Sequence, residues 1–311
     1  MAEDNLTHVM QFILLGFSDL PNLQGFFFEI SFVIYLSILI GNGLLIVIIK
    51  INPALHTPMY FFLGNFSFLE MCYTSVTLPR MLTDLWSQKR TISLVECAVQ
   101  VCFLYILGAA ECLVLAVMAY DHYVAICKPL YYPLIMNPTA CVQLIVTFWV
   151  VGVPVMIEEI YQIFSLNFCG SNKINHIFCD SSPLFQLACG DTYNIEVYIH
   201  VVALIFILIP FVLIVASYVK IISTILKLPS TSGRSKAFPT CSSHLMLVSL
   251  FYGSGSIVYL WPKSSQSAAS GKVLALFYTT VTPMFNPLIY SLRNKDVIAT
   301  LGKLLPQSHR S

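Results

Sequence analysis

Glu70 and Glu111 each interrupt an apolar stretch, Pro58–Leu78 and Cys97–Ala119, that holds no other Asp, Glu, Lys or Arg. If these stretches are membrane-buried helices, the rise per residue puts Glu70 about 18 Å and Glu111 about 15 Å above the same end. Two carboxylates at similar depth in a low dielectric cannot both stay charged unaided. The chemistry they point to is a shared proton or a bound cation, sodium being the candidate ion. Asn42 and Asn286, counted from their own helix ends, share that inner half and complete the candidate site. The plainer alternative is two neutral acids that hydrogen-bond neighbouring helices as packing glue.

No other catalytic or metal-binding constellation stands out. There is no glycine-rich phosphate loop, zinc spacing or Ser/His/Asp set, and His8, His56, His176, His200 and His244 are scattered as local hydrogen-bond partners. The chain reads as no enzyme, with no cofactor and no structural metal. Of ten cysteines, Cys97, Cys169, Cys179 and Cys189 lie on the outer side, where disulfides are the default. Spacing leaves all three pairings open, with a Cys169/His176/Cys179 metal site as the weaker alternative. Cys72, Cys102, Cys112, Cys127, Cys141 and Cys241 read as free thiols.

The elements that must position these groups follow from composition. Of 311 residues, 57% are hydrophobic and 10% charged, against about 45–50% and about 25% in soluble domains. Mean hydropathy is +0.79. A soluble enzyme and a disordered scaffold are excluded, and a net charge of +1 gives no footprint for nucleic acid. Besides the two carboxylate-bearing stretches, Ile30–Ile49, Pro138–Ile157, Val197–Val219, Ala237–Pro262 and Val273–Leu292 are uncharged and long enough to span a bilayer. The fold class is an all-α membrane protein: a seven-transmembrane helix bundle.

Lys50, Lys128, Lys220, Lys227, Arg234, Lys236, Arg293, Lys295, Lys303 and Arg310 fall on one side, which positive-inside makes cytoplasmic. The N-terminus is then outside, where Asn5 begins the credible glycosylation sequon. Residues 1–24 form an extracellular N-terminus, 25–292 the helix bundle, and 293–311 a cytoplasmic tail with a short interfacial helix around Asn294–Leu305. Ile51–Thr57 and Leu228–Ser235 are short inner connections, and Ser165–Asn194 is the longest outer loop. A channel or transporter is the competing class; it wants a continuous polar path or internal repeats, and neither is visible.

Motifs at the helix ends then converge. Gly41-Asn42, Leu55-His56-Thr57-Pro58-Met59-Tyr60, Met118-Ala119-Tyr120-Asp121-His122-Tyr123, Ser217-Tyr218, Lys236-Ala237-Phe238-Pro239-Thr240-Cys241 and Asn286-Pro287-Leu288-Ile289-Tyr290 appear in order. On these motifs the chain resembles the vertebrate olfactory receptors, rhodopsin-like G-protein-coupled receptors, over nearly its whole length. The resemblance implies Cys97–Cys179 and Cys169–Cys189 disulfides, a small volatile organic ligand, a stimulatory olfactory-type G protein acting through cyclic AMP, and the plasma membrane of olfactory sensory neurons. It assigns coupling and switching to Asp121, His122, Tyr123, Tyr218, Lys236, Asn286, Pro287 and Tyr290. Where the family has Asp-Arg-Tyr, this chain has Asp121-His122-Tyr123. An imidazole gives Asp121 at best one ordinary hydrogen bond and no guanidinium fork, so weakened coupling is a further alternative.

In the outer half of the third helix, Leu104, Tyr105, Gly108 and Ala109 share one face. No carboxylate stands among them to bind an amine. The resemblance adds Val202, Phe206, Tyr252, Gly255, Tyr259 and Thr279 around the same expected pocket, apolar with a few hydroxyls.

Overall fold

The computed structural model describes residues 11–87, 90–169, 171–227, 231–260, 268–291 and 295–304. Within these, the side chains of 231–240, 256–260, 268–271, 290–291, 295–296 and 303–304 lie outside the description. Asn5 and the side chains of Lys236, Tyr259 and Tyr290 therefore lie outside the described residues.

Seven long helices form the bundle: α1 (Gln24–Ile51), α2 (Pro58–Ser87), α3 (Leu94–Cys127), α4 (Pro138–Phe164), α5 (Tyr193–Lys227), α6 (Thr231–Leu260) and α7 (Ala268–Ser291). A short α8 (Lys295–Leu304) follows. Among the described residues, α1, α3, α4 and α5 are apolar enough to cross a membrane by that measure alone. The polar interior of α2 falls below it. α3 is the central post: 67% of its most apolar window is buried, against 22% for α1, α4 and α5. It packs against α2, α4, α5 and α6.

Most helices overrun the apolar stretches that announce them, because backbone hydrogen bonding continues beyond the hydrocarbon until a cap ends it. α3 begins at Leu94 rather than Cys97. Ser93 Oγ accepts from the Glu96 amide and Glu96 Oε2 accepts from the Ser93 amide, a full capping box. α4 starts at Pro138 because Asn137 Oδ1 caps the Ala140 amide. α2 continues past Pro79 to Ser87, where Arg80 pairs with Asp84 at 3.0 Å. α6 begins at Thr231, inside the stretch expected to be a loop. In α5 a π-turn at Leu204–Leu208 precedes Pro210, whose missing N–H cannot bond the Phe206 carbonyl.

One architectural feature has no counterpart in the all-helical expectation. β1 (Gln11–Leu14) lies between β2 (Thr91–Ser93), antiparallel, and β3 (Lys173–Ile174), parallel, in a three-stranded sheet over the outer end. Phe12 and Leu14 bury against Ile92, Cys97, Ile163, Phe168 and Cys179. At the opposite end α8 tucks under the bundle: Val297 is buried in the main core, and Asn52 Nδ2 donates to Thr300 Oγ1 at 2.8 Å.

Candidate functional site

The outer end is covalently fixed. Cys97 pairs with Cys179 and Cys169 with Cys189, with Cα atoms 5.6 and 5.9 Å apart. Gln100 reinforces the first link: its Nε2 donates to the Val76 carbonyl and its Oε1 accepts from the Cys179 amide. The other six cysteines are unpaired.

Beneath that cap lie the expected ligand residues. Leu104 packs with Phe17, Leu78, Ile177, Phe178 and Leu276 in an outer cluster. Ala109 and Val202 are buried in the main core, with Phe206 and Tyr252 packed against it. Tyr105 touches this core, the outer cluster and the cluster under the sheet, so it stands where three apolar regions meet. A Cβ on Gly108 would lie 3.9 Å from the Tyr73 ring, and one on Gly255 would meet nothing within 4 Å. The Tyr252 hydroxyl is buried beside Cys112 without a hydrogen-bond partner of acceptable geometry among the described residues. Thr279 is different. Its Oγ1 donates back to the Ala275 and Leu276 carbonyls, so the hydroxyl serves its own helix. Phe17, Ile177 and Phe178 were not among the expected residues. Large apolar side chains in a polar N-terminus and a cysteine-rich loop were the only sequence signal for them.

Deeper in, the polar residues sort into two groups. Pro287 has no N–H, which frees the carbonyl of Pro283 four residues back. Asn42 Nδ2 donates to that carbonyl at 3.0 Å, and Asn42 Oδ1 accepts from Asn286 Nδ2, which also reaches Ser67 Oγ. Gly41 makes the approach feasible: a Cβ there would sit 2.9 Å from Pro287 Cγ. In this network Asn286 Oδ1 alone lacks a partner among the described residues; the carboxylates are barer. Glu70 and Glu111 are buried within electrostatic reach of each other. Both oxygens of Glu70 and Oε1 of Glu111 have no partner among the described residues, and neither do Thr282 Oγ1 and Asn286 Oδ1 on α7. Bare oxygens on two neighbouring buried acids are the donor type that a hard monovalent cation or a shared proton takes. No group of three or more His, Cys, Asp or Glu suited to another metal occurs among the described residues.

The inner end departs from the pairing expected of Asp121 and His122. Asp121 Oδ1 accepts from the Tyr132 hydroxyl at 2.8 Å, while the His122 ring turns away from it. His122 Nδ1 lies 2.6 Å from the Met118 carbonyl, so the proton sits on Nδ1 and Nε2 is left as a bare acceptor. Adjacent residues on a helix do not face each other, and packing of α3 on α6 turns the ring toward His244. The His122 ring stacks on His244 of α6 at 5.3 Å, and His244 Nδ1 bonds the Tyr218 hydroxyl of α5 at 2.8 Å. Three helices thus meet through two imidazoles and a phenol. His244 was expected to be only a local partner, and Tyr132 was not singled out. Tyr123 lies under Lys128, whose Nζ is 5.7 Å from the ring centroid.

Comparisons with known proteins agree with this architecture. The olfactory receptor family pattern matches residues 31–308. Human olfactory receptor 10AG1 is 58% identical over 95% of this chain and 98% of its own length, and human olfactory receptor 10A5 is 50% identical over 97% and 96%. The crystal structure of squid rhodopsin shares the fold, with a TM-score of 0.73 over 91% of this chain and 81% of that one at 17% identity. The protein is a multi-pass plasma-membrane protein and not an enzyme. With the family pattern covering most of its length, the chain belongs to the olfactory receptor family of G-protein-coupled receptors.

Proposed function

We propose that this receptor binds a small volatile organic molecule between α3, α5, α6 and α7 and activates a stimulatory, olfactory-type G protein, raising cyclic AMP in olfactory sensory neurons. The observation that supports it best is the meeting of three apolar clusters at Tyr105, with the buried Tyr252 hydroxyl beside Cys112 as a polar group on α6. Such a site holds its ligand mainly by burial and orients it with one polar contact. The absence of a carboxylate among Leu104, Tyr105, Gly108 and Ala109 favours neutral ligands over amines.

The test is a cyclic AMP reporter screen against a panel of volatile alcohols, aldehydes, ketones and esters, normalised to surface receptor. An agonist should emerge, and Tyr252→Phe should weaken it about fivefold, the value of one hydrogen bond of about 1 kcal/mol. Ionic currents without any cyclic AMP response would favour the channel reading instead. An agonist that binds but gives a low plateau would point to coupling weakened at His122.

A second element rests on the bare oxygens around Glu70 and Glu111. We read them as a cation or proton site whose occupancy differs between resting and active states, with Asn42 and Asn286 at its inner edge. Sodium titration of basal GTP exchange in isolated membranes tests this.

A further inference from the structure

The N-terminal segment is attached to the bundle in two different ways, divided at Gly16. On its first half, β1 is bonded on both edges, and Phe12 and Leu14 are buried beside the Cys97–Cys179 link. The chain then turns at Gly16, whose φ of +49° is a left-handed conformation that favours glycine. The Gly16 amide bonds the His176 carbonyl at 3.1 Å. Beyond it the backbone amides of Ser18 and Leu20 donate within local turns, to the Leu15 and Phe17 carbonyls.

What holds the second half down is therefore side-chain chemistry. Phe17 is 3% exposed and shares the outer cluster with Leu104, Phe178 and Leu276, stacking on Phe27 at 4.2 Å. Asp19 pairs with Lys272, near the outer start of α7, at 2.6 Å. The pair is lopsided: the Lys272 side chain is 2% exposed and the Asp19 side chain 53%. A lysine buried that deeply needs its counter-ion, so the segment cannot lift without hydrating Lys272. His176 also lies close enough to feel Lys272, and Asp180 lies close to His176.

We propose that Gly16–Leu20 is a hinged lid on the outer ligand chamber, with Phe17 as its plug and the Asp19–Lys272 ion pair as its latch to α7. The lid makes Phe17 a wall of the chamber and a determinant of which ligands fit. Because the latch ends on α7, opening it releases the outer end of the helix that carries Thr279, Pro283 and Asn286. The role as ligand lid rests on the odorant reading above; the hinge and latch do not.

The test needs no ligand. Hydrogen–deuterium exchange is followed on the full-length receptor in nanodiscs, comparing amides of Gln11–Leu14 with those of Phe17–Leu20. Lys272→Met, which removes the charge and keeps the length, should speed exchange at Phe17–Leu20 by about three- to tenfold while Gln11–Leu14 stays protected. Asp19→Asn should do the same, and the double exchange Asp19→Lys with Lys272→Asp should restore protection. Should the variants fail to fold, wild type in 1 M salt must show the same selective increase, since the Asp19 side is open to screening. Equal acceleration of both halves would mean one rigid cap, and no change in either would mean the ion pair latches nothing; each result overturns the lid. With an agonist in hand, Phe17→Ala should raise its association and dissociation rates together. Failure to find any agonist would count against the odorant reading and leave the exchange result standing.

Discussion

At the outer end of the bundle two disulfides, a three-stranded sheet, the Arg80 bond to the Thr91 carbonyl and the Asp19–Lys272 ion pair hold the helix tips. At the inner end no disulfide or ion pair occurs among the described residues. There the helices are joined by the His122–His244 stack, the Tyr218–His244 and Tyr132–Asp121 hydrogen bonds, and a Cys127–Thr224 contact between α3 and α5. Single bonds of this kind contribute about 0.5–1.5 kcal/mol each. A micromolar ligand brings about 8 kcal/mol, of which only the part that differs between two states moves an equilibrium. That is enough to rearrange the inner end and far too little to break the disulfide-bonded, sheet-covered part of the outer one, to which the Gly16–Leu20 lid is hinged. The difference teaches where the molecule is built to move.

The largest expected effect breaks the outer end. Cys97→Ser opens a link across 82 residues of chain, a loss of about 2–5 kcal/mol. Surface receptor, measured by labelling an N-terminal epitope on intact cells, should fall to background. Normal surface density and response would show that the sheet alone holds the cap.

Next comes the layer between the two ends. Gly41→Ala drives a Cβ to within 2.9 Å of Pro287 Cγ and should lower stability by about 1–3 kcal/mol. Gly43→Ala, where a Cβ meets nothing within 4 Å, should be neutral or mildly stabilising. Thermal unfolding of the purified variants checks both, and equal melting points would contradict close packing of α1 on α7. In the same layer, Glu70→Gln with Glu111→Gln should abolish any sodium dependence of basal signalling. Signalling identical to wild type would reduce the two acids to packing.

At the inner end the effects should be smaller. His122→Arg replaces one bare acceptor with five donors. The difference between an ordinary and a charge-assisted hydrogen bond is about 1 kcal/mol, or about fivefold in a coupling equilibrium. The agonist plateau in cyclic AMP, at equal surface receptor, should rise. An equal or lower plateau would show that the imidazole pair is a competent substitute.

The smallest effect concerns acid. The hydrogen bond and charge of Lys272 hold the Asp19 carboxyl below its ordinary value. A carboxylate with a depressed folded value contributes fully above the ordinary range, near pH 4, and loses that contribution as pH falls through the depressed value. Protection at Phe17–Leu20, corrected for intrinsic exchange, should therefore stay flat from pH 7 to 5. A loss of protection within that window would show that another group, such as His176, controls the segment.

The bundle was legible in the sequence because hydrocarbon selects composition: uninterrupted apolar stretches announce helices whatever their neighbours are. Helix ends were less legible, although Ser93-Leu94-Val95-Glu96 and Asn137-Pro138 carried cap signals readable on their own. The sheet was not legible, since β1 has four residues and its partners lie about 80 and 160 positions away. In the proposed ligand region, position on a helix face put Leu104 and Tyr105 on one side of α3, where both meet the outer apolar cluster. It could not say that Thr279 spends its hydroxyl on its own backbone, which depends on a rotamer. The same holds for His122, whose ring faces His244 rather than Asp121 through tertiary packing of α3 on α6.

The place of β1 in its sheet also bears on how the protein is made. It is made before both of its partners and is the central strand of the sheet, and the residue opposite Ile13 is Lys173. At about 5–20 residues per second, some 10–30 s separate synthesis of the two. Through that interval Gln11–Leu14 waits on the luminal side with at least one bare edge, and Cys97 waits for Cys179. An unpaired strand edge is a template for other chains. The nascent receptor is thus most vulnerable while four of its seven spans are already in the membrane, and a luminal chaperone that occupies β1 over those seconds would raise the yield of folded protein.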